Sequence, residues 1–166
     1  MIDHILVVCI GNICRSPMAE ALLRRDFPQK TIRSAGIGAL VGHAADPSAV
    51  RIMQQQGIDI QAHRAQSLAG WMISQANLIL TMERDQKRHI EMLYASAKGK
   101  VLLLGETGKY EIPDPYKEDF ASFQRTYQLI AQGVGELSRK IQRTEETNTT
   151  RQRVVSNAVA VNSNSI

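Results

Sequence analysis

Asp3 to Val8 reads DHILVV, Cys9 to Pro17 reads CIGNICRSP, and Met18 to Asp26 reads MAEALLRRD. The first piece is a continuous apolar run of strand length, the pattern of a strand buried on both faces. The last piece has its apolar residues at helical spacing. Ser16 suits an N-cap, and Pro17 suits the first helical position, where a missing N–H costs nothing. A buried strand therefore feeds a helix through one short loop. If the alternation continues, the sheet is parallel.

The alternation does continue. Lys30 to Ser34 reads as a second strand, followed by a glycine-rich loop from Gly36 to Gly42. Asp46-Pro47 is another cap-plus-proline start, for a helix that runs to Gln56 and stops at Gly57. Leu68 to Ser74 reads as a short helix, with Leu68, Trp71 and Met72 filling the core. Asn77 to Met82 is another buried strand, Asp85 to Ala97 a helix, and Lys100 to Leu104 the fourth strand. The charge run Glu83 to Glu91 reads as a solvated helix face. After a loop from Gly105 to Lys117, Phe120, Phe123, Tyr127, Ile130, Val134, Leu137 and Ile141 recur at spacings of 3 and 4. They mark one face of a long amphipathic helix. From Thr144 to Ile166 the chain is rich in Asn, Thr and Ser without a sustained period, which predicts a flexible tail behind one domain at 1–143. The fold class is α/β: a four-stranded parallel sheet with helices on both faces.

Composition narrows the function classes. The chain has 166 residues, 43% hydrophobic and 22% charged, which is ordinary globular usage and excludes collagen-like or wholly disordered chains. No run approaches the ~20 apolar residues of a membrane span. The apolar start has neither a basic leader nor a small-residue cleavage site, so the expectation is a cytoplasmic protein without membrane insertion. The net charge of +4 is mild, and three Phe, one Trp and four Tyr are too few to interleave a basic face. Nucleic acid is not an expected partner. Cys9 and Cys14 lie in one loop and cannot staple a fold, which fits a reducing compartment. Two thiols with no companion Cys or nearby His make no zinc site, so no metal is expected. His4, His43 and His89 have no partner pattern.

The chemistry sits in the loop from Cys9 to Ser16. Gly11 and Asn12 are the residue types that tolerate left-handed backbone in a tight turn. Successive N–H groups of such a loop can form an anion nest, and the following helix adds its N-terminal dipole. With Arg15 beside it, the Cys9 thiol should ionise well below the ordinary value of about 8.5 and attack as thiolate. Arg15 offers a planar fork matched to two phosphate oxygens, which Lys could not copy. Ser16 can cap the helix and donate to the Cys9 sulfur. A phosphoryl group passed to sulfur needs its leaving oxygen protonated. Asp114, between Pro113 and Pro115 after the fourth strand, is the best acid, because ligands in open parallel sheets bind at the carboxyl ends of strands. Tyr116 would wall a flat substrate.

CIGNICRS at Cys9 to Ser16, Ser34-Ala35-Gly36, His63, and DPY at Asp114 to Tyr116 together resemble the low-molecular-weight protein tyrosine phosphatases. The resemblance covers roughly residues 1–143. It implies a four-stranded parallel sheet of flavodoxin-like layering and an enzyme that needs no cofactor. Cys9 would form a phosphocysteine and Arg15 would hold the phosphoryl oxygens. Asp114 would act as acid and then as base, and inorganic phosphate would be the product. Ile10, Gly11, Asn12, Ile13, Cys14 and Ser16 would form the phosphate-binding loop, supported by Ser34 and His63. Cys14 would trap oxidised Cys9 as a disulfide. Leu40, in a stretch without the aromatic that eukaryotic members carry, resembles bacterial enzymes paired with tyrosine autokinases in capsule and exopolysaccharide export, so the implied partner is such a phosphotyrosine protein. Lys117 replaces a common second Tyr, and Gln66 a common Arg.

Three rivals stand beside this reading. Arsenate reductases on this fold pass oxidation to distant cysteines, and no Cys follows Cys14. Protein-arginine phosphatases resemble the same loop but carry Thr where this chain has Ile13. A non-catalytic phosphate-binding module should have lost Cys9, Arg15 or Asp114, and all three are present.

Overall fold

The computed structural model describes the backbone of residues 1–163 and the side chains of residues 1–151. Strands β1 (His4–Cys9), β2 (Thr31–Gly36), β3 (Leu78–Thr81) and β4 (Val101–Leu103) form one parallel sheet in the order β2-β1-β3-β4. Helices α1 (Arg15–Asp26), α2 (Pro47–Gln55) and α5 (Phe120–Ser163) cover one face, and α3 (Gly70–Gln75) and α4 (Arg84–Leu93) the other. The two-residue alternation of β1 divides its side chains between these layers. Ile5, Val7 and Cys9 join the core under α1, α2 and α5, and Leu6 and Val8 join the core under α3 and α4. All five are buried, and each of the four aliphatic side chains among them contributes about 1.5–3 kcal/mol.

The expected α/β class, the parallel sheet and the helices on both faces are all present. Asp46 caps α2 as expected, its side chain accepting from the Ser48 N–H at 2.8 Å, and Gly57 ends the segment at φ +73°. The predicted apolar face of α5 is the packed face: Phe123, Ile130, Val134 and Ile141 are buried, and Phe120, Tyr127 and Leu137 pack beside them. Gly133 lets this helix lie against β4, because a Cβ there would sit 2.6 Å from the Leu104 carbonyl oxygen.

Four local expectations differ from the structure. The first helix begins at Arg15, two residues early; Cys14 is its N-cap, and no side chain bonds there. Ser16 is therefore inside the helix and does not cap it, because its hydroxyl is taken up by the Cys9 sulfur. Trp71 does not fill the core: it is 48% exposed, with Arg33 lying 5.6 Å over its ring. The helix expected from Asp85 to Ala97 breaks at Tyr94, whose extended backbone separates α4 from a single 3-10 turn at Ala95–Ala97.

The last difference concerns Thr144 onward. The helix carries on to Ser163, past the expected end at 143. Glu136 to Ser163 contains neither Gly nor Pro, so nothing stops the backbone ladder. The polar side chains are satisfied locally: Thr144 and Thr147 donate to the carbonyls of Lys140 and Arg143, both at 2.9 Å. Glu145 reaches back to the buried Lys30 ammonium at the start of β2. An apolar period locates the packed face of a helix, and its end is not the end of the helix. Residues 164–166 of the expected tail lie outside the described residues.

Candidate active site

β1 is the strand at which the sheet reverses: β2 lies on one side of it and β3 on the other. The crevice at the carboxyl end of such a strand is where open α/β sheets bind ligands. Cys9 is the last residue of β1 and opens into that crevice.

The loop after Cys9 has a definite polarity. The carbonyls of Cys9, Ile10 and Gly11 accept from the N–H groups of Ile37, Gly38 and Leu40, each at 3.0 Å. The Asn12 carbonyl accepts from His63 Nε2 at 2.7 Å, and the Ile13 carbonyl from the Asp46 N–H at 2.8 Å. All peptides are trans, so each N–H points opposite to the carbonyl of its own peptide unit. Carbonyls pulled outward therefore turn the N–H groups of Gly11, Asn12, Ile13 and Cys14 inward. Among the described residues, none of these four N–H groups donates to another protein group. The loop is an anion nest with the N-terminus of α1 behind it. Two special residues make it possible. Asn12 takes φ +56°, and Gly36 lets β2 meet the loop, since a Cβ there would lie 2.4 Å from the Ile10 carbonyl oxygen.

Beneath the loop, a buried chain of polar groups fixes one hydroxyl. The Gln66 N–H donates to Asn12 Oδ1 at 2.9 Å, which settles the orientation of that amide. Asn12 Nδ2 then donates to Ser16 Oγ at 2.8 Å and to Ser34 Oγ at 2.9 Å. Ser34 donates its own hydrogen bond to the carboxylate of Glu20. Ser16 Oγ also lies 2.9 Å from Cys9 Sγ, where the hydroxyl is the donor whenever the sulfur is a thiolate. Sequence reasoning found Asn12, Ser16, Ser34 and His63. It missed Glu20 and treated Gln66 only as a departure from the family pattern, yet Gln66 Nε2 also donates to the Ser34 carbonyl at 2.9 Å.

Arg15 is 1% exposed, and its guanidinium is bracketed from the far side. Nη1 donates to the Ile112 carbonyl at 2.9 Å and to the Glu83 carboxylate. Nη2 lies 3.0 Å from Asp114 Oδ2. Nε is buried with no partner. Asp114 is thus brought to Arg15 as expected, and its Oδ1 accepts from the Tyr116 N–H at 3.2 Å. Glu83 overturns its expected place on a solvated face: it precedes the helix proper and turns toward Arg15.

The remaining predicted residues divide. Leu40 is half-buried and packs against the core, and Tyr116 is 43% exposed with Lys117 Nζ 5.3 Å over its ring. Ile10 on the loop itself is 43% exposed and presents apolar surface there. Cys14 is buried beside Asp46, Asp114 and Cys9. Burial first, then those charges, push its thiol far above the ordinary value, while Arg15 pulls the other way. Cys9 and Cys14 are both free thiols. Among the described residues, no three His, Cys, Asp or Glu side chains gather as a metal-binding group.

A sulfur, a nest of N–H groups, a guanidinium and a carboxylate converge at one sheet edge. Residues 4–147 match the family described as low molecular weight phosphotyrosine protein phosphatase. Over 134 residues the chain is 52% identical to the probable low molecular weight protein-tyrosine-phosphatase EpsP of Ralstonia nicotianae, covering 81% of this chain and 92% of that one. It superposes on the crystal structure of the tyrosine phosphatase Wzb from Escherichia coli K30 in complex with sulphate with a TM-score of 0.82. The identity to Wzb is 42%, and the match covers 85% of this chain and 99% of that one. It also resembles the YwlE arginine phosphatase from Geobacillus stearothermophilus, with a TM-score of 0.81, 31% identity, and 87% and 96% coverage. The chain belongs to the low molecular weight phosphotyrosine protein phosphatase family.

Proposed function

We propose that the chain hydrolyses protein phosphotyrosine through a phosphocysteine on Cys9. The observation that carries this reading is the unused hydrogen-bonding capacity of the loop. Four inward N–H groups and the partnerless, buried Arg15 Nε surround the space beside Cys9, and a phosphoryl dianion satisfies all of them at once.

In the first step the Cys9 thiolate attacks phosphorus, and the bond to the tyrosine oxygen breaks. Asp114, in its protonated form, gives its proton to that oxygen. A phosphoryl oxygen takes over the Nη2 donor that Asp114 holds, so substrate binding releases the acid toward the leaving group. In the second step Asp114 takes a proton from water, the water oxygen attacks phosphorus, and the sulfur–phosphorus bond breaks. The Ser16 hydroxyl, 2.9 Å from the sulfur, donates to the departing thiolate and stabilises it. Inorganic phosphate leaves. Asn12, Ser34 and His63 hold the loop open, and Leu40 and Tyr116 flank the substrate ring. Cys14 serves as resolving thiol: when peroxide converts the Cys9 thiolate to a sulfenic acid, the Cys14 sulfur displaces its oxygen as water and a disulfide forms.

For a partner, the same reading takes a cytoplasmic bacterial tyrosine autokinase of exopolysaccharide or capsule export. Its support is the likeness to EpsP and Wzb. The second substrate class is phosphoarginine, favoured by the likeness to the YwlE phosphatase and opposed by the apolar Ile13. Phosphate release from para-nitrophenyl phosphate and from phosphotyrosine, phosphoserine and phosphoarginine peptides, in EDTA, decides between them. The expected result is release from phosphotyrosine alone among the peptides, lost in Cys9→Ser, which still binds vanadate. A preference for phosphoarginine would transfer the reading to that class, and no release would leave only a phosphate-binding module.

A further inference from the structure

The geometry points to the outer edge of β2 as a docking site for an extended, acidic peptide segment. β2 is an edge strand of the sheet, and its residues alternate in direction. The Thr31 N–H donates to the Asp3 carbonyl and the Ile37 N–H to the Cys9 carbonyl, so Thr31, Arg33 and Ala35 bond inward to β1. Ile32 and Ser34 therefore turn their backbone groups outward. Their carbonyls are served: Arg24 Nε and Nη2 donate to Ile32 at 3.2 and 2.9 Å, and Gln66 Nε2 donates to Ser34 at 2.9 Å. Their N–H groups are not, for among the described residues neither donates to a protein group. Two outward donors two residues apart, about 6.6 Å along a strand, match two successive same-side carbonyls of an extended chain. Beyond them the edge is closed, because Gly36 bonds to Gln66 and Leu68 through both of its backbone groups. The opposite edge offers less: β4 has three residues, and Glu106 engages both the N–H and the carbonyl of Leu103.

The surroundings of this edge select the charge of its occupant. Two grooves, of about 570 and 540 Å³, meet at Glu20, Arg24 and Gln66. The carboxylates there are engaged: Glu20 by Arg24 at 2.6 Å and by the Ser34 hydroxyl, and Asp59 by the Gln61 N–H at 2.8 Å. Arg33 lines the first groove and Arg64 the second, and among the described residues neither meets a carboxylate. Arg33 rests on the Trp71 ring, and Arg64 on the carbonyls of Gln61 and His63. The Arg24 side chain is 60% exposed, so its guanidinium is free to turn from Ile32 to an incoming carboxylate. Ile32 faces α1 and Arg33 faces Trp71 on the other side, so successive side chains of an added strand meet Arg24 and Arg33 in alternation. Backbone carbonyls on the two N–H donors hold the segment, and carboxylates on the arginines select it. The partner is a protein with an acidic stretch in extended form, bound away from the cysteine loop and whichever ester that loop cleaves.

Amide hydrogen exchange by NMR on the full chain tests this, with inorganic phosphate present throughout to occupy the cysteine loop. The probe is a blocked Glu-Val-Glu-Val-Glu peptide, and Lys-Val-Lys-Val-Lys is its control. At saturation, exchange at the Ile32 and Ser34 amides should slow by about tenfold, while the inward amides of Thr31, Arg33 and Ala35 keep their rates. That alternation marks an added strand, and a peptide held by charge alone leaves no such pattern. Arg33→Glu should weaken the acidic peptide by about tenfold and leave kcat/KM on para-nitrophenyl phosphate within about twofold of the parent. The exchange pattern of the parent decides the matter even where that variant folds poorly. Slowing without alternation, an equal response to the basic peptide, changes confined to Gly11 to Cys14, or no change at millimolar peptide would each overturn the proposal. So would concentration-dependent slowing at Ile32 and Ser34 in the chain alone, which gives the edge to a second copy.

Discussion

Asn12 is the residue on which the cradle is built, and replacing it with Gly or Ala separates two of its duties. Its side chain is fully buried and makes three hydrogen bonds, while its backbone sits at φ +56°. Asn12→Gly keeps the backbone conformation and the His63 contact to the Asn12 carbonyl but removes the amide. The Gln66 N–H then loses its acceptor, at about 1–3 kcal/mol, and the two serine hydroxyls each lose a donated bond of about 0.5–1.5 kcal/mol. The expected destabilisation is about 2–5 kcal/mol after partial relaxation. Asn12→Ala adds about 1–2 kcal/mol for a Cβ in left-handed backbone, against about 0.4–1 kcal/mol that Gly loses through its freer unfolded chain. Ala should therefore be the worse by roughly 0.5–1 kcal/mol. Urea unfolding reads this directly: with a slope of about 2 kcal/mol/M, a loss of 3 kcal/mol moves the midpoint by roughly 1.5 M. The hydroxyl of Ser16, no longer held by the amide, donates to Cys9 for only part of the time. kcat should fall by about tenfold, less than the 10²–10³-fold of losing a donor outright. A Gly variant within 1 kcal/mol of the parent, with unchanged kcat, would show that the amide network holds neither the loop nor the hydroxyl.

Three further outcomes follow from the same geometry. Asp114→Asn should lower kcat most for alkyl-like, poor leaving groups and least for para-nitrophenol. It should also bind phosphate more tightly, because Arg15 Nη2 loses its competing carboxylate; an equal rate loss across leaving groups would argue against the acid role. Cys14 is raised well above the ordinary thiol range in the folded chain, so above about pH 9 the unfolded state releases a proton that the folded state keeps. Its stabilisation, complete below pH 9, should decline by up to about 1.4 kcal/mol per pH unit above it, and Cys14→Ser should flatten that slope in urea unfolding between pH 8 and 10.5. After peroxide treatment, the same variant should lose the activity that dithiothreitol restores in the parent. A chain ending at Arg143 loses Glu145 and leaves the buried Lys30 ammonium without that partner. It should keep its kcat and lose about 3 kcal/mol of stability, whereas ending at Thr150 should cost nothing measurable.

Much of this was legible in the residues. The run from Asp3 to Asp26 dictates strand, loop and helix, because a buried strand and an amphipathic helix have different apolar periods and the loop between them carries Gly and Asn. Asp46-Pro47 placed a helix start to the residue, since the cap and the proline act within one turn. What escaped was of two kinds. Ser16 was read as a cap because serine before proline has that preference locally; the sulfur seven residues earlier competes for the same hydroxyl, and a side-chain preference worth about 1 kcal/mol yields to it. The helix beyond Arg143 carries no apolar period; its sequence signal is the absence of Gly and Pro after Gly135, and its threonine back-bonds exist only once the helix has formed.

Glu83 escaped for a different reason, which the topology makes plain. A run of charges beside a helix reads as solvated when the helix is considered alone. In a parallel sheet, however, every strand ends on the same edge, and the residues just past each end meet there whatever their separation along the chain. Ile10 to Arg15 follow β1, Ile37 to Gly42 follow β2, Met82 and Glu83 follow β3, and Asp114 lies in the loop after β4. The β2 loop holds the cradle's carbonyls outward, and the β4 loop brings the acid to Arg15. The rule that placed Asp114 at the site applies with equal force to the first charged residue after β3. β3 pairs directly with β1, Val8 against Thr81, so Glu83 emerges beside the cysteine loop. Strand order rather than local composition decides which charges are solvent-facing, and here it turns one carboxylate of an apparently solvated run onto the arginine of the site.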